Sequence, residues 1–237
     1  RIVGDNTDGV GLCRDICHNL QHALQGKRIL LLGAGGAARG VILPLLAEQP
    51  ACLTIANRTA SKAEQLAQQF QHYGQLGASS YEALAGQQFD VIINATSASL
   101  SDALPPLPGG CFAPGSLAYD MMYGKGLTPF LLFAQQQGSA QLADGLGMLV
   151  EQAAEAFCIW RGVRPMVAHS CVTVARLARA TAPMKPKSRH SISARRVVGV
   201  SLAARSLSSD CMLSTSSLNA AATSRRRASA KASLVKR

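Results

Sequence analysis

"KRILLLGAGGAARGVILPLLAEQ", residues 27–49, decides the fold. Ile29 to Leu32 is a short apolar run of strand type, broken at Gly33, and apolar positions at helical intervals follow. The break itself, "GAGGAA" (Gly33 to Ala38), has the form G-x-G-x-x-A after a strand and at the opening of a helix. Gly33 allows a tight turn, Gly35 lets the backbone approach a pyrophosphate, and Ala38 permits close helix packing. The free N–H groups and the helix dipole face the phosphates. Gly33, Ala34, Gly35, Gly36 and Ala37 are therefore the candidate phosphate cradle. Taken alone, the same pattern also suits a purely structural turn.

The plan repeats downstream. "ACLTIANRTASKAEQLAQQF" (51–70) gives a strand near Leu53 to Ala56, a polar turn, and a helix from about Ser61. A third strand, "FDVIINATS", ends at Asn94, and a fourth, "SLAYDMMY", ends near Asp120. "TPFLLFAQQQG" reads as the next helix, stopped by Gly138. Short apolar strands alternating with helices predict an α/β fold, a doubly wound parallel sheet with helices on both faces. Ligands then lie at the carboxyl ends of its strands.

The end of the second strand discriminates between nucleotides. An Asp or Glu about 20 residues beyond the glycines would bind a ribose 2′-hydroxyl, but "ANRTASK" stands there instead. Arg58 offers a planar fork for a 2′-phosphate, Asn57 and Thr59 offer hydrogen bonds, and Lys62 adds charge one turn into the helix. NADP is favoured over NAD, against the plainer reading of a solvated helix start capped by Thr59 or Ser61. Thr96 and Ser97 follow the third strand, where a cofactor's ribose or nicotinamide half would pass. Met121 and Met148 are placed to flank a nicotinamide ring, although Met on a helix is commonly core filling. Tyr123 and Gln152 offer neutral hydrogen-bonding groups to a hydroxylated substrate.

Before the glycine turn, "GDNTDG" (4–9) sets two carboxylates, Asp5 and Asp8, in a polar turn. Asn6, Thr7 or Asp8 is suited to cap a helix, and "GVGLCRDICHNLQHAL" (9–24) has helical spacing at Val10, Leu12, Ile16, Leu20 and Leu24. Cys13, Cys17 and His22 lie at helix-face intervals but lack a matched second pair of ligands, so no metal is expected. His18 and His72 read as surface residues.

Charge divides the chain. Residues 1–165 hold 10 Lys and Arg against 12 acids, a net of −2, whereas residues 166–237 hold 14 against Asp210 alone, a net of +13. The second part has no Phe, Tyr or Trp and 14 Ser, too little apolar surface to offset the entropy of ordering, and is expected to be a disordered tail. It suits a salt-dependent electrostatic arm for nucleic acid but lacks aromatics for stacking bases. Seven scattered cysteines fit a reducing compartment. With no signal-type start and no long apolar run, a cytoplasmic protein without membrane contact is expected.

Taken together, "GDNTDGVGL", "GAGGAARG", "NRTASKAEQLA", "INATS", "YDMMYGKGLTPF" and "ADGLGMLVEQAAEAFCIWRG" resemble shikimate dehydrogenase of bacterial aromatic biosynthesis, in order and approximate interval, over residues 1 to about 165. The resemblance implies a Rossmann-like NADP domain and a substrate domain, with the reduction of 3-dehydroshikimate to shikimate in the cleft between them. It implies that Asp8 is the carboxylate of a catalytic Lys–Asp pair and contacts substrate. Gly33 to Ala37 would bind the pyrophosphate, and Asn57 to Lys62 the 2′-phosphate. Met121 and Gly145 would hold the nicotinamide, while Tyr123 and Gln152 would contact substrate. Lys62 stands where many relatives have Arg, which keeps the charge and loses the fork.

The chain departs from the family in two places. The substrate domain with the catalytic Lys would precede Arg1, and Lys27, Lys62 and Lys125 do not replace that lysine. The tail after Pro165 looks like a shifted frame or a foreign junction. The implied layout is a hinge turn and linker helix (1–24), the NADP domain (25–143), a returning C-terminal helix (144–165) and the tail (166–237). Impaired turnover is expected of this chain, with quinate or another cyclic hydroxy acid as alternative substrate and homodimerisation left open.

Overall fold

The computed structural model describes residues 4–98, 103–124 and 126–167. The expected disordered tail, residues 166–237, lies outside the described residues from 168 onward.

Six strands form one parallel sheet: β1 (Arg28–Leu32), β2 (Cys52–Ala56), β3 (Leu76–Ser79), β4 (Phe89–Asn94), β5 (Phe112–Asp120) and β6 (Gln141–Asp144), in the order β3-β2-β1-β4-β5-β6. Strand β1 is laddered on both edges, Leu30 opposite Thr54 of β2 and Ile92 of β4. Because strand side chains alternate, Ile29 and Leu31 enter one core layer and Leu30 and Leu32 the other. All four are fully buried, which is why the run is continuously apolar.

The first layer is covered by α1 (Asp8–Arg14), α2 (Gly36–Ala47), α3 (Ala60–Phe70) and α5 (Leu146–Arg161). The second is covered by α4 (Pro129–Gln136), a short 3₁₀ turn (Glu82–Leu84) and the loop with Leu107 and Cys111. The expected sheet with helices on both faces is the observed one, with most helices on one side. Strands β3 and β6 escaped the sequence reading. "LGAS" and "QLAD" are short edge strands, partly exposed and without the β-branched run that marks a strand.

The helix expected over Gly9–Leu24 stops earlier. After α1 the chain widens into a π turn, Asp15–Asn19, with Leu20 N–H donating to Asp15 O (2.9 Å). Gln21 then takes φ +55° and ends it. Leu20 and Leu24 still pack on the core, Leu24 fully and Leu20 in part, so helical spacing continued where the helix did not. The widening accompanies a buried carboxylate. Asp15 is 0% exposed, and its Oδ2 accepts from the Tyr119 hydroxyl (2.7 Å) and Oδ1 from Asn19 Nδ2 (2.9 Å). A Cβ on Gly147 would overlap that carboxylate, and one on Gly11 would lie 2.7 Å from Gln152 N. Two glycines therefore let α1 and α5 cross at close range. Glu151, buried on α5, takes Arg14 (3.5 Å) and Arg164 (2.8 Å) as ion-pair partners.

Two stability experiments follow from this packing. Tyr119→Phe removes a donor to a buried carboxyl and costs about 1–3 kcal/mol in denaturant unfolding. His22 is partly buried, and desolvation lowers its pKa below 6.5, the Gln141 side chain working against this. The folded state thus binds that proton less readily, so His22's contribution is complete above 6.5 and is lost as pH falls through the lowered value. Wild type should lose more stability than His22→Gln across that window in unfolding at stepped pH.

Candidate functional site

The carboxyl ends of β1, β2, β4 and β5 are stitched together beyond the strands themselves. Gly33 N–H donates to Ala56 O (2.7 Å), Ala95 N–H to Leu32 O (2.9 Å), and Met121 N–H to Asn94 O (3.0 Å). Gly33 has φ +105°, and a Cβ there would press on Ala95 O and Thr96 Cγ2, both at 3.2 Å. Only glycine suits that position, both for its backbone and for its neighbour. The next positions differ. A Cβ on Gly35 or Gly36 meets nothing within 4 Å, and Gly35 to Ala37 are exposed. They open on a crevice beside the first turn of α2, whose leading N–H groups are the ones an anion can take.

At the end of β2, Asn57 Nδ2 donates to Thr59 O (3.0 Å) and shapes the turn into α3. Thr59 occupies the N-cap position, but its side chain makes no capping hydrogen bond, so the capping alternative is not what holds this turn. Arg58 and Lys62 are both exposed. Asn57 and Arg58 line a pocket of about 340 Å³ with Tyr81, Thr96, Ser97 and Leu104. Tyr81 was not foreseen: it is 4% exposed, burial pushes its hydroxyl pKa up, and the nearby Arg58 charge works against this. No spacing rule reaches it, because it enters from the loop after the edge strand β3. A larger concavity of about 480 Å³ is lined by Arg28, Cys52, Phe89 and Gly110. It sits at the amino ends of the strands, the wrong end for a ligand of this topology.

Met121 and Met122 follow β5 directly. A Cβ on Gly145 would overlap the Met121 carbonyl, and Gly145 N–H donates to Met122 O (3.2 Å), so the turn opening α5 lies against the turn closing β5. Met121 is half-buried at the edge of the first core layer, whereas Met148 is 6% exposed within it. Tyr123, 46% exposed, stands in the β5–α4 turn.

Asp8, partly exposed, is the first residue of α1. Thr7 holds the cap position without a side-chain bond, and Asn6 Oδ1 instead accepts from Asp8 N–H (2.8 Å). Asp8 therefore sits in a turn built by Asn6, on the helix whose Gly11 touches Gln152. Cys13 is buried, and Cys17 lies 4.0 Å from Glu48 Oε2. Among the described residues no group of three metal-ligating side chains occurs, and no helix is long and apolar enough to cross a membrane.

A glycine turn at the point where a parallel sheet reverses its strand order defines a Rossmann-type domain. The model for shikimate/quinate 5-dehydrogenase matches residues 15–101, and that for the shikimate 5′-dehydrogenase C-terminal domain matches residues 145–168. The chain belongs to the shikimate/quinate dehydrogenase family. It is 70% identical over 164 residues to a shikimate dehydrogenase (NADP(+)) of Dechloromonas aromatica, covering 69% of this chain and 60% of that protein. It is 66% identical to one of Nitrosospira multiformis, with the same coverage. The crystal structure of an Ael1 enzyme from Pseudomonas putida is 55% identical with TM-score 0.67, covering 78% of this chain and 66% of that one. Shikimate 5-dehydrogenase from Thermus thermophilus, in complex with NADP(H) and shikimate, is 30% identical with TM-score 0.60, covering 74% and 63%. The chain spans about 60% of the length of the curated relatives it matches.

Gly145→Ala tests how closely the two turns lie. The added methyl forces the Met121 turn away and costs about 1–3 kcal/mol in thermal or denaturant unfolding, whereas Gly35→Ala, facing open space, leaves stability nearly unchanged.

Proposed function

We propose that this chain binds NADP(H) and forms the cofactor half of a cytoplasmic shikimate dehydrogenase, which reversibly reduces 3-dehydroshikimate to shikimate. The observation that carries the reading is the open cradle at Gly35 and Gly36 together with Arg58, in place of an acid, at the end of β2. The residues present fit a dinucleotide with a 2′-phosphate. The Gly33–Ala37 turn takes the pyrophosphate on backbone N–H groups, Arg58 and Lys62 take the 2′-phosphate, and the pocket beside Tyr81 takes the adenosine end. Thr96 and Ser97 line that same pocket, and the nicotinamide end is left to Met121, Gly145 and Met148. The relatives named for shikimate and NADP(+) supply the substrate class.

NADPH supplies a hydride to the ketone carbon when bound. Charge then develops on the ketone oxygen, which must gain a proton. Asp8 would accept a hydrogen bond from a substrate hydroxyl and orient the ring, joined by Gln152 of α5 and Tyr123 of the β5–α4 turn. A carboxylate accepts and does not donate, so Asp8 serves as one member of an acid–base pair. The resemblance pairs it with a lysine, a part that Lys27, Lys62 and Lys125 are not expected to play.

NADPH fluorescence titration and a shikimate-dependent NADP⁺ reduction assay test the reading. Arg58→Ala should weaken NADPH binding about tenfold or more, the loss of one charge-assisted pair to phosphate, with NADH affinity unchanged. Turnover should be weak or absent in this chain alone. A folded sample that does not bind NADPH refutes the cofactor assignment. Quinate-dependent turnover exceeding that with shikimate would replace the substrate.

A further inference from the structure

Asp120, the last residue of β5, is unexposed and held from three directions. Its Oδ1 accepts from Asn94 Nδ2 (3.2 Å) and from Met122 N–H (3.0 Å), and its Oδ2 from Thr128 Oγ1 (2.5 Å). Asn94, also unexposed, closes β4, and its Oδ1 accepts from Thr96 N–H (3.1 Å) and Thr96 Oγ1 (2.7 Å). Thr128 Oγ1 in turn accepts from Leu131 N–H (3.3 Å), capping α4. One continuous run of hydrogen bonds thus joins the Thr96 turn, the Met121–Tyr123 turn and the start of α4.

The directions in this run suit a carboxylate. The Asn94 amide nitrogen and the Met122 N–H can only donate. The Thr128 hydroxyl spends a lone pair on Leu131 N–H and so points its proton at Asp120. A carboxylate accepts from all three with charge-assisted bonds, whereas an amide would turn its NH₂ toward Thr128 and make that hydroxyl rotate to accept on its second lone pair, leaving a weaker, neutral bond. A buried polar network is rigid when every member is satisfied. Of the turns it connects, the Met121–Tyr123 turn is assigned to the nicotinamide end, and the Thr96 turn lines the pocket given to the adenosine end.

We infer that Asp120 and Thr128 are positioning residues: they touch no cofactor themselves, and they hold the Met121 turn, where the nicotinamide end lies, at a fixed distance from the Thr96 turn beside the adenosine pocket. This rests on the NADP reading above. Loosening the latch at Thr128 should therefore weaken binding of the nicotinamide end and leave the adenosine 2′-phosphate end, held at β2 and α3, as it was.

The experiment titrates this chain with NADPH and with adenosine 2′,5′-bisphosphate, which carries the 2′-phosphate and no nicotinamide. Thr128→Val keeps the side-chain volume and removes the hydroxyl. Its NADPH affinity should fall roughly tenfold, with bisphosphate affinity unchanged and Thr128→Ser close to wild type in both. Asp120→Asn, which turns an NH₂ toward Thr128, should give the same split and is read if Thr128→Val does not fold. Wild-type NADPH affinity in the variant, or equal loss of both ligands, overturns the inference. A folded wild-type chain that binds neither ligand overturns the cofactor reading and this inference with it.

Discussion

The hydrogen-bonded ladder on both edges of β1 is the constraint from which the rest follows. With β2 on one side and β4 on the other, the chain leaves β1 toward α2 and later leaves β4 toward the opposite half of the sheet. The two exits diverge, and the gap between them is the crevice. The ladder also reaches past the strands, through Gly33 N–H on Ala56 O and Ala95 N–H on Leu32 O. The glycine turn is therefore a continuation of sheet geometry, held in place before any ligand arrives. Gly33 faces the Thr96 turn closely enough that a side chain would separate them, while Gly35 and Gly36 face open space. One short motif thus contains glycines with different physical tasks.

Packing on the helix-rich face uses a second device. Helices α1 and α5 approach through Gly11 and Gly147, and the buried Asp15 carboxyl fills the contact with the Tyr119 hydroxyl and the Asn19 amide. Apolar burial contributes most of the stability there, at roughly 1.5–3 kcal/mol for each Leu or Ile side chain. It is poor at choosing a register, because any apolar pair satisfies it. A buried carboxyl with directional partners allows few alternatives. Asp8 and Gln152 ride on this pair of helices, so the register of α1 on α5 sets where both side chains stand.

Turn chemistry made the middle of the molecule legible and its margins obscure. The apolar run Ile29–Leu32, the glycines behind it and Arg58 in place of an acid could each be read without coordinates, because each is a local signal with one physical cause. The edge strands β3 and β6 carry no such signal, since strands exposed at one side need neither continuous apolarity nor β-branching. Leu20 and Leu24 kept helical spacing beyond the helix because both reach the core from an irregular segment, and burial alone does not report backbone geometry. Met148 was open to two readings and lies in the core. Tyr81, Asp120 and Thr128 went unassigned, since each acts on residues that the sheet brings near and the sequence keeps apart.

By itself, then, the sequence determined the fold class and marked the glycine turn and Arg58 as candidates, because strand, turn and helix propensities are local and the glycine motif is read along one stretch of chain. Only the tertiary structure decided which glycine is closed and which is open, how deeply Met121 and Met148 are buried, and how the turns after β4 and β5 are tied together. Those depend on hydrogen bonds and close approaches between strands 26 residues apart, as between Asn94 and Asp120, and between helices at opposite ends of the domain. Such contacts exist only once the parallel ladder has formed.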